Sequence, residues 1–315
     1  MLPQMRKLTP RGRLIGFAAF GSCLVLVFLR PLAALVVLAT GSELNSHILL
    51  IPFISGYLIC LQRSHLPQLY DSAPRWTLSF LLLGLLSAAS TWSLNPTKGT
   101  LSQNDYLALM TFSFLCLLAA GGFFFLGREL MAGAAFPIVF LIFMIPMPLA
   151  MADYLEMASQ RASTEAASLF FGISGTPVLR EGPVFQLPGI VIRVAQECSG
   201  IRSSWILFVT SILASHLFLK SPWRRALLVA FVIPLGILRN GFRIVVIGLL
   251  CVHVGPEMIH SVIHRRGGPF FFALSLIPLF FVLWWLRRTD VADPRMCVGP
   301  AESPLADVKP VEEPR

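Results

Sequence analysis

Three kinds of side chain in this sequence are of the types that covalent acyl transfer requires. Cys198 stands in QECSGIRSS (196–204), Arg243 in LRNGFRIV (238–245), and three histidines, His253, His260 and His264, in HVGPEMIHSVIHRRGG (253–268). A cysteine thiolate attacks a carbonyl carbon, a histidine moves the protons, and an arginine balances the charge that collects on the carbonyl oxygen. Cys198 is expected at the first turn of an apolar helix, where unsatisfied backbone N–H groups and positive potential favour the thiolate. Arg202, one helical turn further on, adds positive charge, and the N–H groups of Ser199, Gly200 and Ile201 could receive an oxyanion. Other readings stay open. Free cysteine usually behaves as a small apolar residue, which suits Cys23, Cys60 and Cys116, and a disulfide between Cys198 and Cys251 is a further alternative. His260 and His264 have the spacing of two metal ligands on a helix, but no cysteine or carboxylate cluster accompanies them, so no metal is expected. One of His253, His260 and His264 is then expected to serve Cys198 as general acid or base.

The elements that must position these groups are membrane spans. Of 315 residues, 56% are hydrophobic and 13% charged, and the mean hydropathy is +0.74. That is too apolar for a soluble domain of this length, so the expected fold is an all-α integral membrane protein. The net charge of +9 does not point to nucleic acid, because lysine and arginine fall in short clusters at the ends of apolar runs. They read as topology signals and contacts to membrane lipid headgroups.

A crossing takes about 20 mostly apolar residues. Eight runs approach that length, at about 14–38, 47–62, 77–95, 105–126, 130–150, 200–219, 226–252 and 269–286. With the N-terminus and C-terminus cytoplasmic, Arg6, Lys7, Arg11, Arg13, Arg63, Arg75, Arg128, the loop KSPWRR, Arg287 and Arg288 all lie inside. The outer side then receives GSELNSH, NPTKGTLSQND, the long segment 151–198 and the turn HVGPEMIHSVIHRRGG, of which Arg265 and Arg266 alone are out of keeping. The first run lacks a small-residue cleavage site and reads as a retained span. In the outer segment, 153–172 has the apolar period of a helix lying on the membrane surface, and the Gly and Pro breaks of GTPVLREGPVFQLPGIVIRV predict a small hairpin. The expected organisation is a cytoplasmic segment 1–13, a transmembrane domain 14–286 and a disordered cytoplasmic tail 287–315.

Span seven carries the costliest residues. Arg239, Asn240 and Arg243 interrupt an apolar helix in which each central charge costs about 2.5–3.5 kcal/mol on insertion scales. Counted from Arg225, Arg243 lies about 27 Å along the helix, close to the outer leaflet. Snorkelling to headgroups or pairing with a buried carboxylate is the alternative explanation, a weaker one for the deeper Arg239; Arg243 is expected to be functional and Arg239 to support it.

In whole motifs the sequence resembles the exosortase family of multi-span bacterial membrane proteins, relatives of the archaeosortases. The resemblance runs from span two to span eight through NSHILLIPFISGYL (45–58), IPMP (145–148), GTPVLREGPVFQLPGIVIRVAQECSGIRSS (175–204), LRNGFRIV (238–245) and HRRGGPFFFAL (264–274). It implies Cys198 as nucleophile, Arg243 as essential arginine, His264 as essential histidine by its alignment to Gly268, and Asn240 as the asparagine of the second motif. Arg239, Arg202, Ser199, Gly200 and His260 are the supporting candidates. The resemblance further implies a cofactor-free cysteine protease or transpeptidase in the bacterial inner membrane, active on the extracytoplasmic face. Its partners would be exported proteins ending in a Pro-Glu-Pro type motif, a transmembrane helix and a basic cluster. The motif's carboxylate needs a cation, for which Arg202, Arg239 and Arg265 are available. A transporter or flippase for lipid-linked saccharides, with the arginines on phosphate, is the alternative; the absence of matched inverted halves in the sequence argues against it.

Overall fold

The computed structural model describes residues 9–42, 44–63, 71–93, 101–194, 200–255, 257–258 and 268–290. Helix α1 (Pro10–Val27) starts on Thr9, whose Oγ1 accepts from the Gly12 N–H at 3.2 Å, with Pro10 in the first turn where a missing donor does no harm. It ends at Phe28, and α2 (Leu29–Gly41) departs at 73°. The expected single span 14–38 is therefore a bent pair. Pro31 lacks the N–H that would reach the Val27 carbonyl, so it is tolerated only in the first turn of a new helix. Phe28 fills the elbow, buried against Phe114 with ring centroids 5.8 Å apart.

After a 3₁₀ turn (Ser46–Leu49), α3 (Ile51–Gln62) has only 12 residues, about 18 Å of rise, and does not cross hydrocarbon on its own. Helices α4 (Pro74–Ser93) and α5 (Gln103–Phe125) pack along each other. Two serines tie them, Ser113 donating to the Gly84 carbonyl at 2.8 Å and Ser87 to the Leu109 carbonyl at 2.9 Å. The expected run 130–150 is broken into α6 (Arg128–Gly133), α7 (Ala135–Phe140) and a 3₁₀ turn (Leu141–Met144). Pro146 and Pro148 then stop helix propagation, and α8 (Leu149–Ser174) turns away by 87°. Asn104 donates to the Met147 carbonyl and Asp105 accepts from the Leu149 N–H at 2.9 Å, so the start of α5 holds this corner.

Helix α8 covers the expected surface helix 153–172 and ends on Gly175 at φ 69°, the left-handed cap that glycine adopts without strain. The predicted hairpin is a three-stranded antiparallel sheet, β1 (Leu179–Glu181), β2 (Val184–Leu187) and β3 (Ile190–Arg193). Alternation of side chains sends Phe185, Leu187 and Ile192 to one face, where they pack with Ala167 and Phe171 of α8. Arg180 of β1 forks onto Glu165 of α8, and its hydrogen bonds hold that exposed carboxyl below the usual glutamate range.

Three long helices complete the chain: α9 (Ile201–Phe218), α10 (Pro222–His253) and α11 (Gly268–Thr289). Among the described residues these, together with α5, are the four helices long and apolar enough to cross a membrane singly; counting the two bent pairs raises the number to six, against the eight runs expected. Asp290 accepts from the Lys220 N–H at 2.6 Å and from Arg224 at 2.9 Å, so the α9–α10 turn and the end of α11 share one side, as the basic clusters predict. Residues 1–8 and 291–315 lie outside the described residues, and with them most of both expected terminal segments.

Candidate active site

Gly200 caps the N-terminus of α9 in the left-handed conformation, φ 73° and ψ 7°. The helix therefore begins at Ile201, one residue later than the expected run. The Gly200 carbonyl accepts the Ser204 N–H at 3.0 Å, the Ser203 hydroxyl at 3.1 Å and Arg239 Nη2 at 3.1 Å. The same Arg239 nitrogen reaches the Ser204 hydroxyl at 3.0 Å. Helix α10 can deliver this guanidinium because Gly236, one turn earlier, lies against Ser204; a β-carbon there would stand 2.7 Å from Ser204 Oγ. Arg239 is 7% exposed, and its Nη1 has no hydrogen-bond partner among the described residues. Asn240, 2% exposed, packs on the Cα of Gly200.

The two arginines of α10 have different surroundings. Arg239 is spent inside the α9–α10 interface, whereas Arg243, one turn further along, is half-buried and lines a cavity of about 560 Å³. Gly200, Arg202 and Ser203 at the start of α9 form a second wall. Thr40, Ser42 and Ser46, from the end of α2 and the turn after it, form a third. The start of α11, at Gly268 and Pro269, closes the fourth side. Two arginines and the first turn of an 18-residue helix, the positive end of its dipole, thus border one polar-rimmed space. No carboxylate lines it among the described residues. Such an arrangement stabilises negative charge, whether fixed on a ligand or developing on a carbonyl oxygen.

The wall containing Ser46 is fastened to α9 by a neighbouring histidine. Trp205 Nε1 can only donate, and it meets His47 Nε2 at 3.3 Å. The ring proton therefore sits on Nδ1, which donates to the Leu44 carbonyl at 3.0 Å. His47 was not singled out as a site residue by sequence reading, since a lone histidine in an apolar run carries no spacing signal. The same holds for Ser203 and for Gln160 of α8, whose amide donates to the Val194 carbonyl at the end of the sheet.

Of the residues expected to do chemistry, the structure brings together Arg243, Arg202 and Gly200 around the cavity, with Arg239 and Asn240 behind Gly200. Cys198, Ser199, His260, His264 and Arg265 lie outside the described residues, in the segments that precede Gly200 and Gly268. Cys251, the alternative disulfide partner, is buried near the end of α10. Among the described residues no group of three or more His, Cys, Asp and Glu could hold a metal ion.

A family model described as transmembrane exosortase matches residues 38–281, which takes in every wall of the cavity and both of the segments just named. No curated protein and no solved structure matches the chain significantly.

Proposed function

The chain belongs to the transmembrane exosortase family, and from that premise we propose that it is a membrane-embedded cysteine transpeptidase that cleaves the C-terminal sorting signal of exported proteins. Family membership and the spanning helices make it a multi-pass membrane protein of a protein-sorting family. The observation that carries the finer reading is the cavity: three of its four walls are Arg243 and the residues that follow Cys198 and His264 in the chain. Gly200 is two residues beyond Cys198, and Gly268 is four beyond His264. At full extension those tethers span at most about 7 and 14 Å.

In this reading the Cys198 thiolate attacks the scissile carbonyl carbon, and the negative charge moves to the carbonyl oxygen. Arg243 and the N–H groups at the start of α9 stabilise that oxyanion. The C–N bond breaks as His264 delivers a proton to the leaving amine, which departs with the membrane helix and basic tail. A second nucleophile attacks the Cys198 thioester and gives its proton to His264, and the C–S bond breaks to release the Cys198 thiolate beside a protonated His264, as at the start. The site lies on the extracytoplasmic face of the bacterial inner membrane, where an exported substrate anchored by its own helix presents its motif. Arg202 is the better partner for an acidic recognition residue than Arg239, because it lines the cavity while Arg239 is committed to Gly200 and Ser204.

The test is co-expression with an exported reporter ending in a Pro-Glu-Pro motif, an apolar helix and a basic tail, scored by gel shift and mass. Processing should require Cys198, Arg243 and His264, each changed to Ala, and survive His260→Ala. Processing that persists without Cys198 would remove the nucleophile from the mechanism.

A further inference from the structure

Five residues, 195–199, connect Val194 to Gly200, and both of these anchors are fastened by side chains remote in sequence. Val194 is 2% exposed; its N–H donates to the Pro183 carbonyl at 2.9 Å, and its carbonyl accepts from Gln160 Nε2. At the other end the Gly200 carbonyl accepts from Arg239 Nη2. Gln160 belongs to α8 and Arg239 to α10, and these two helices touch through their smallest residues. A β-carbon on Gly241 would lie 2.6 Å from the Ala166 β-carbon and 3.1 Å from Ala166 main chain. Ala166 is six residues past Gln160, and Gly241 two past Arg239, so the contact that sets the helix separation lies beside both fastenings.

We infer that Gln160 and Arg239 form a two-ended clamp that sets the position of the Cys198 segment, Gln160 holding its entry and Arg239 its exit. The inference rests on the reading of Cys198 as the nucleophile. Neither side chain hydrogen-bonds within the helix that carries it among the described residues: Gln160 spends its amide on a loop carbonyl 34 residues away, and Arg239 spends its buried guanidinium on a cap carbonyl 39 residues away and on Ser204. Backbone carbonyls at both ends of a short segment are the handles by which its reach and direction are set. Displacing a nucleophile by about 1 Å costs about a hundredfold in rate, so a clamp of this kind acts on turnover more than on binding.

Gln160→Met keeps the side chain's length and removes the donor; Arg239→Lys keeps the charge and removes the planar fork. Each is made in the full-length chain and in a version whose only cysteine is Cys198, with Cys23, Cys60, Cys116, Cys251 and Cys297 replaced. The inference expects kcat per folded enzyme to fall about tenfold or more with KM within about twofold, and the pH profile of Cys198 alkylation by a maleimide to be displaced. A purely structural role would lower the melting temperature while leaving the alkylation profile and kcat per folded enzyme unchanged, and that result overturns the clamp. If wild-type protein cleaves no reporter, the sorting reading fails, and the alkylation profile alone still decides the clamp: displaced in both variants supports it, unchanged in both overturns it.

Discussion

The Cα of Gly200 faces the Asn240 side chain so closely that a β-carbon built there would stand 2.8 Å from both Asn240 Cγ and Oδ1. Gly200 also sits at φ 73°, where an L-residue is strained by about 1–2 kcal/mol. The corner between the cysteine segment and α9 thus admits glycine for two independent reasons. Gly200→Ala is expected to destabilise the fold by about 1–2 kcal/mol from that strain alone, lowering the melting temperature in detergent by several degrees. Adding Asn240→Ala removes the contact but not the strain, so the double variant, measured as a double-mutant cycle, should not return to the melting temperature of Asn240→Ala by itself. Full return would mean that the backbone conformation is unimportant.

Trp205→Phe keeps the aromatic packing and strips the donor from His47 Nε2. An acceptor left without its partner costs about 1–3 kcal/mol, so the melting temperature in detergent should fall by several degrees. An unchanged melting temperature would show that water replaces the indole N–H, and that the wall containing Ser46 is held by packing alone.

Gly241 and Gly248 both meet α8 or its sheet, but against different material. Alanine at Gly241 meets the Ala166 β-carbon and main chain, which can yield only by moving the helix, whereas alanine at Gly248 meets the ring edge of Phe171 at 2.7 Å. Overpacking typically costs about 1–3 kcal/mol, and Gly241→Ala is expected at the upper end, with Gly248→Ala below it. Thermal unfolding of both in one detergent gives the order, and a larger loss at Gly248 would contradict it.

The fork from Arg180 to Glu165 ties β1 to α8. Because Arg180 depresses the Glu165 pKa, its contribution is present above the unfolded value, about 4.3, and is lost as the pH falls through the lower folded value. Hydrogen exchange in β1 should therefore rise on acidification below about pH 4 in wild type and show no such step in Glu165→Gln. The same step in that variant would assign it to another group.

If Arg202 reads an acidic residue of the substrate, Arg202→Glu should abolish processing of the Pro-Glu-Pro reporter and recover part of it when the motif's glutamate becomes lysine. A charge-assisted pair of this kind supports a recovery of about tenfold. Absence of recovery would take Arg202 out of recognition while leaving its place on the cavity wall unaltered.

Much of this protein was legible in local patterns. Composition determined the membrane class, the apolar runs located the long helices, and Gly and Pro breaks located the small sheet between Gly175 and Val194, each because burial and backbone preference act over a few neighbouring residues. Helix breaks were less visible: the run 14–38 reads as continuous, and only the missing N–H of Pro31 and the burial of Phe28 turn it into two helices at 73°. The spacing of Arg239 and Arg243 put them one turn apart on a helix but could not say that one is consumed by Gly200 and Ser204 while the other lines a cavity. That division follows from the close approach of α10 to α9 at Gly236, a contact between residues 32 positions apart. Likewise Thr40, Gly200, Arg243 and Gly268 belong to four separate segments, and their meeting around one space depends on helix packing. Side-chain type and spacing are properties of the chain, whereas the partner each side chain meets is set by how closely two helices can approach.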